Sequence, residues 1–267
     1  MFNKIQGKKK IIALSLASIA TVFLTTGCVN HTENIKNHEM SHHKAHWGYQ
    51  GNVSPSHWGN MDEKFAMCGK GTMQTPINII ATNDKNLTPL GIDYTTSSKN
   101  VINNGHTVQV NIQSGSTLTI DGETYELKQF HFHTPSENNI NGTSYPLEAH
   151  FVHATKDGKL AVVAVMFKDG KANPILEKIW NKFPLEENKA VSIDLSSTDI
   201  KSIMPSNKEY YKFMGSLTTP PCSENVKWNV YKTEMTISQE QVKEFYDVFG
   251  HTNNRPLQNT NNRTITE

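Results

Sequence analysis

Four short runs of this chain give neighbouring side chains opposite surroundings: NVINNGHTVQVNI (100–112), STLTIDGETYELKQFHFH (116–133), EAHFVHA (148–154) and LAVVAVMF (160–167). A period of two marks a strand, because successive side chains leave opposite faces of the pleat. An amphipathic helix would need a period near 3.6, so these runs commit the centre of the chain to a β-sheet. Asp121-Gly122 lies between two alternating segments and predicts a tight hairpin; Asn104-Gly105 sits inside another such stretch. Helical signals are few. They cover NPILEKIWNKF (173–183) and SQEQVKEFYDVF (238–249), the latter with Ser238 as N-cap and Gln241 at the capping-box position. The expected fold is mainly β: a large central twisted, mostly antiparallel sheet with short peripheral helices. No repeat or second linker follows Trp47, so residues 46–267 are expected to form a single domain.

In QFHFHTPSE (129–137) the same rule separates two chemistries. Phe130 and Phe132 share one face, while Gln129, His131 and His133 share the other. In LEAHFVHA (147–154), Glu148, His150 and Val152 share a face, and Ala149, Phe151 and His153 take the opposite one. Residues 134–147 are rich in Asn, Gly, Ser and Pro, as suits a loop between neighbouring antiparallel strands. If those strands pair, His150 comes opposite His131 and His133 at about 5 Å. Three imidazoles then converge and leave a fourth tetrahedral position open, the pattern of a catalytic zinc site. A lone His-x-His on a strand would mean little; the matching third histidine carries the reading. Three neutral ligands leave the full charge on a dipositive ion, which favours an ionised water beside it. Gln129 and Glu148 are placed to accept the second N–H of the ligand rings. His153 faces away and is expected to be structural. His57 and His251 have no partner identifiable by spacing.

With 267 residues, a formal charge of +1, 36% hydrophobic and 19% charged residues, the chain can bury a sizeable core. It has no basic stripe, so no nucleic-acid partner is expected. The first 28 residues differ from the rest. Lys4, Lys8, Lys9 and Lys10 precede an apolar run, IIALSLASIATVFL, that ends in TTGC. A run of about 14 apolar residues after a basic start suits an export signal and is short for a membrane span. Gly27-Cys28 resembles a bacterial lipoprotein cleavage box in which Cys28 becomes the lipid-modified N-terminus, although Thr25 stands where Leu is usual. Simple secretion and a retained helical anchor are the alternatives. The expectation is a periplasmic or cell-surface protein tethered to a membrane through Cys28. Residues 29–45, polar and rich in histidine, would form the flexible tether, with loose zinc gathering as a second role. In an oxidising compartment Cys68 and Cys222 remain to form a disulfide; two buried free thiols are the alternative. A homodimer is compatible with the sequence.

Seven motifs in order then resemble the α-class carbonic anhydrases over roughly residues 46–263: HWGYQG with PSHWGN (46–60), QTPINI (74–79), NNGHTVQV (103–110), QFHFHTPSE (129–137), LEAHFVH (147–153), GSLTTPPC (215–222) and NNRPLQ (253–258). The resemblance implies one Zn2+ per chain on His131, His133 and His150. It implies reversible hydration of carbon dioxide to bicarbonate and a proton, by hydroxide attack on CO2. Thr218 would accept the hydroxide's hydrogen bond and pass its own proton toward an ionised Glu137. Val152, Val162, Leu217 and Trp228, with Thr219, would form the CO2 pocket. His106 would shuttle the product proton to buffer along a water path lined by Tyr49, Asn103 and Gln109. A Cys68–Cys222 bridge would pin the loop that holds Thr218, and Thr75-Pro76 and Pro220-Pro221 correspond to cis bonds in the family. Two rival readings are a catalytically silent relative used as a binding module and a zinc-storage lipoprotein. The first normally lacks a zinc histidine, and all three are present here; zinc stoichiometry separates the second.

Overall fold

The computed structural model describes residues 46–267. The expected signal segment (1–28) with its lipidation site Cys28, and the tether (29–45), lie outside the described residues. Thirteen strands follow in chain order: β1 Asn78–Ile79, β2 Gly91–Asp93, β3 Ser98–Asn103, β4 Val108–Ile112, β5 Thr117–Ile120, β6 Glu123–His133, β7 Asn139–Ile140, β8 Leu147–Ala154, β9 Leu160–Asp169, β10 Ala190–Val191, β11 Tyr210–Ser216, β12 Glu224–Tyr231 and β13 Met235–Ile237. Eleven of them form one sheet, whose long path runs β10-β3-β4-β6-β8-β9-β12-β11. Most pairs are antiparallel, as expected. Within this sheet the exceptions are on β9, which pairs parallel with both β12 and β13, so it is mixed; β1 and β7 pair parallel in a separate two-stranded sheet.

Local chemistry explains the elements. Asp121 and Gly122 both have positive φ (53° and 78°), the tight turn that joins β5 to β6. Five short α-helices lie around the sheet: α1 Trp58–Met61, α2 Met67–Lys70, α3 Pro174–Trp180, α4 Ser197–Ser202 and α5 Gln239–Phe249. Asn173 caps α3 and Pro174 opens it; the helix stops at Trp180, three residues short of the expected end. Ser238 and Gln241 form the expected capping box of α5, and Gly250 closes it in the left-handed region. Helices α1, α2 and α4 add to the two expected from sequence, and Ser196 and Asp199 build a full capping box at the start of α4.

The sheet's two faces do different work. Phe130, Phe132, Ala149, Phe151, Val163 and Val165 point to the larger core, where Ile175, Leu176 and Ile179 of α3 and Phe245 of α5 cover them. Each buried Phe, Val, Leu or Ile among them contributes roughly 1.5–3 kcal/mol. The other face begins in polar side chains on β4 and ends in an apolar cluster of Val162, Ala164, Met166, Phe213 and Trp228 on β9, β11 and β12. The site occupies the strip between.

His153 is structural, as its parity predicts. It is fully buried, with Nδ1 donating to the Ala161 carbonyl at 3.3 Å and Nε2 2.7 Å from the Tyr94 hydroxyl. Because the carbonyl can only accept, Nδ1 carries the proton and Nε2 accepts from tyrosine. Burial pushes its pKa from 6.5 down to about 3, against the opposing pull of the Ala161 and Phe151 backbone. Cys68 of α2 and Cys222 form the expected disulfide, with Cα atoms 5.0 Å apart across a sequence separation of 154. Thr75-Pro76 and Pro220-Pro221 are cis as expected, and Thr134-Pro135 is cis as well.

Two outcomes follow from this packing. As pH falls, the unfolded chain protonates His153 first, so the stabilisation from its neutral burial is complete above about 6.5 and is lost progressively toward about 3. The thermal unfolding midpoint should fall across that window, with a shallower slope in His153→Gln; equal slopes would remove the assignment. Opening the disulfide should lower the midpoint, since a loop of this length restricts the unfolded chain by roughly 5 kcal/mol. An unchanged melting curve after reduction would contradict that.

Candidate functional site

Register builds the site. His131 on β6 stands directly opposite His150 on β8, His133 opposite Glu148, and Gln129 opposite Val152. The row extends sideways: Gln109 on β4 faces His131, while Ala164 on β9 faces His150. In the next row Val152 faces Val162, and Val162 faces Trp228. Polar residues therefore flank the imidazoles on one side and an apolar wall flanks them on the other. That wall is the expected group of Val152, Val162, Leu217 and Trp228; Leu217 packs on the cluster from the loop after β11. Thr219, half-exposed on the same loop, accepts the Cys222 backbone N–H at 2.9 Å.

One nitrogen from each of His131, His133 and His150 lies within 4.8 Å of the others. The other nitrogens are engaged. His131 Nδ1 donates to Gln129 Oε1 at 2.8 Å and His133 Nδ1 to the Asn253 carbonyl at 2.7 Å, leaving Nε2 of each ring as the donor atom. His150 turns Nε2 toward Glu148 Oε1, 2.9 Å away though off the line of a hydrogen bond, which leaves Nδ1 for the site. Burial lowers the pKa of all three rings, that of His133 to about 4, so the imidazoles are neutral. Neutral rings are what a divalent ion requires. Two buried atoms at the centre, His133 Nε2 and Glu137 Oε2, have no hydrogen-bond partner. Three convergent neutral nitrogens with a buried, orphaned donor atom fit one metal ion.

Glu148 holds more than His150. Its Oε2 accepts the backbone N–H groups of Glu137 and Asn138, both at 2.8 Å, and its Oε1 accepts Asn138 Nδ2 at 2.8 Å. Burial raises it to about 6 against those donors. The same carboxylate thus faces the His150 ring and shapes the turn that presents Glu137. Glu137 Oε2 lies 3.4 Å from His133 Nε2 and 3.9 Å from His150 Nδ1. Burial pushes Glu137 up to about 8, while the neighbouring Thr218 hydroxyl and the Arg255 backbone N–H pull it down.

Asn253 and Arg255 join the site without any sequence signal for these roles beyond the NNRPLQ motif that contains them. Fully buried Asn253 accepts Thr134 N on Oδ1 at 2.8 Å and donates Nδ2 to the carbonyls of His106 and Phe132, both at 3.0 Å. Arg255 donates its backbone N–H to Glu137 Oε1 at 2.9 Å. Its buried guanidinium reaches Gln74 Oε1, the Thr75 carbonyl and the Cys68 carbonyl at 2.8–2.9 Å. This segment is irregular, so no periodicity could have found it. Gly215, where β11 meets the Thr218 loop, is needed for close approach: a methyl there would lie 2.8 Å from Trp228 Cδ1.

The turn at Asn104-Gly105 presents His106. Asn104 Oδ1 accepts the backbone N–H groups of His106 and Thr107 at 3.0 and 2.9 Å. The His106 ring stacks on Trp47 with centroids 3.6 Å apart and 11° between planes. Burial, then His46, pushes its pKa down to about 4, so in this position the ring departs from the 6.5 expected of a shuttle. Tyr49 has a buried, unpartnered hydroxyl near Glu137. Gln109 stands on the ligand face and bonds Asn111 Oδ1 at 2.7 Å. Asn103 does not join it. Its neighbour Ile102 pairs with Gln109, so parity turns Asn103 away, toward Gly105 N and the Leu185 carbonyl. The His57 ring bonds the hydroxyls of Ser54 and Ser56.

The chain is similar to known proteins. A family model described as eukaryotic-type carbonic anhydrase matches residues 53–267. The chain is 46% identical to a carbonic anhydrase of Pectobacterium carotovorum over 221 residues, covering 83% of this chain and 90% of that one. The solved α-carbonic anhydrase of Thermovibrio ammonificans, in complex with the inhibitor sulfanilamide, is 42% identical with a TM-score of 0.80, covering 84% of this chain and 99% of that one. That of Photobacterium profundum is 48% identical with a TM-score of 0.77, covering 83% and 100%. With the family model spanning most of the chain and these identities over its length, the protein belongs to the α-class carbonic anhydrases.

Proposed function

We propose that this protein catalyses the reversible hydration of CO2 to bicarbonate and a proton, with one Zn2+ held by His131 Nε2, His133 Nε2 and His150 Nδ1. The observation that carries this is the convergence of three neutral nitrogens within 4.8 Å beside an orphaned buried carboxylate oxygen. Zinc held by these three rings would supply Lewis acidity, the chemistry that lowers the pKa of water to about 7 in carbonic anhydrases as a family.

The chain's own groups do the rest. Gln129, the Asn253 carbonyl and Glu148 hold the three rings in their ligating orientation. Thr218 donates its hydroxyl proton toward Glu137, so its oxygen is left to accept a hydrogen bond from the reacting water and fix how that water points. Glu137 serves as an ionised acceptor. The Thr218 hydroxyl and the Arg255 backbone N–H favour its ionised form against burial, and a dipositive ion on the three rings would favour it further. Val152, Val162, Leu217 and Trp228, with Thr219 at the rim, offer a small apolar substrate a surface from which it displaces only weakly held water. His106 moves the product proton outward, along a path bordered by Tyr49 and Gln109.

The protein would act outside the cytoplasm, anchored by a lipid on Cys28, with residues 46–267 as its catalytic domain. The Cys68–Cys222 bridge supports an oxidising compartment. Retention of all three histidines with Thr218 and Glu137 weighs against a silent binding module.

His131→Ala should abolish tight zinc binding and CO2 hydration, read by metal analysis and stopped-flow pH-indicator assay. Normal activity with a full zinc equivalent would sink the site. Several loosely held equivalents in the unmodified protein would favour storage. His106→Ala should lower kcat about tenfold in dilute buffer and leave kcat/KM unchanged, with imidazole restoring the rate. An unchanged kcat would place proton export elsewhere.

A further inference from the structure

Thr218 and Glu137 sit on loops after two strands, β11 and β6, that are not neighbours in the sheet. Strand pairing therefore does not fix their spacing. The link between them runs through Gln74 and Thr75, the buried start of the QTPINI motif. Toward Thr218, Thr75 clasps Ser216. Its N–H donates to Ser216 Oγ at 2.9 Å, its hydroxyl donates to the Ser216 carbonyl at 3.1 Å, and that hydroxyl oxygen accepts the Ser216 N–H at 2.6 Å. The Ser216 carbonyl also accepts Trp228 Nε1 at 3.0 Å, which ties the clasp to the apolar wall. Gln74 holds the far end of the same loop, donating Nε2 to the Cys222 carbonyl at 3.0 Å. Toward Glu137, Gln74 Oε1 and the Thr75 carbonyl accept Arg255 Nη1 at 2.9 and 2.8 Å. The Arg255 backbone N–H in turn holds Glu137 Oε1 at 2.9 Å.

The clasp falls where β11, at the end of the sheet's long path, shifts register against β12 between Gly215 and Ser216. A hydroxyl both donates and accepts, so one Thr75 side chain serves the carbonyl and the N–H of Ser216; a valine of the same shape could serve neither. Resting on the carbonic anhydrase reading, we propose that Thr75 is a positioning residue of this enzyme, whose hydroxyl sets Thr218 against Glu137 and so fixes how the reacting water points at CO2. It acts only through other residues. Without the hydroxyl, the near end of the Thr218 loop loses its bonds to both backbone groups of Ser216. The loop then keeps its anchors at Cys222 but drifts relative to Glu137. A misplacement of about 1 Å can cost on the order of a hundredfold in rate.

Thr75→Val keeps the shape and removes the hydroxyl. In the zinc-loaded protein it should lower kcat/KM for CO2 hydration roughly tenfold and leave the zinc content unchanged. It should lower kcat in dilute buffer less, because proton export limits that rate. Thr75→Ser, which retains the hydroxyl, should restore kcat/KM. On a Thr218→Ala background the Thr75→Val change should cost little further, since its effect passes through Thr218. Ser216→Ala removes only the acceptor of the Thr75 N–H and should show a smaller loss with the same dependence on Thr218. It carries the test if Thr75→Val does not fold. A lowered melting point with kcat/KM intact, equal losses with and without Thr218, or a Thr75→Ser variant as slow as Thr75→Val would overturn the inference. An unmodified zinc-loaded protein that does not hydrate CO2 would overturn the functional reading itself, whereas an active protein with an unimpaired Thr75→Val variant overturns this inference alone.

Discussion

The pairing of Glu123–His133 with Leu147–Ala154 is the constraint on which the rest depends. It places His131 opposite His150 and His133 opposite Glu148. A slip of one residue would send the imidazoles into the aromatic core and bring Phe130 and Phe132 to the site. The buried phenylalanines are therefore part of how the site is specified, since their burial resists any other register. A register irregularity between Leu127 and Gln129 interrupts the ladder just before the ligand pair and leaves that pair in phase.

Around that pairing the polar groups form a connected set drawn from distant stretches. Glu148 holds the Glu137 turn, Arg255 holds Glu137 from the other side, and Arg255 also grips Gln74, Thr75 and Cys68. Thr75 and Ser216 bond each other's backbones, and the disulfide ties Cys68 to the end of the Thr218 loop. A buried guanidinium is costly when left unmatched, so this network is coherent only if complete. Burial lowers Arg255 to about 10, and the Glu137 charge opposes that shift. Rigidity of this kind suits a reaction whose protein contribution is orientation.

A gradient of polarity runs across the three histidines. Along the sheet, Asn111, Gln109 and Gln129 give way to His131 and His150 and then to Val152, Val162 and Trp228. A water-compatible side meets an apolar one, as a reaction between water and an apolar gas requires. At the edge of the site Trp47, Tyr49 and Trp58 pack edge-to-face on one another, and Trp47 stacks on His106.

Much of the fold and the convergence of the three histidines was legible in the chain because strand periodicity is local. Alternation alone separated the faces of Gln129–His133 and Glu148–His153, and the turn and capping residues at Asp121-Gly122 and Ser238 acted as their chemistry dictates. The parallel partners of β9, the Asn253 carbonyl on His133 and the Arg255 contacts were not legible, because each joins segments remote in sequence through backbone groups common to every residue type. The stacked position of His106 likewise arises from Trp47, some sixty residues earlier. Sequence by itself determined which side chains could share a face. Only the tertiary structure decided which backbone groups and remote rings met them, because long-range contact depends on packing geometry that local pattern does not encode.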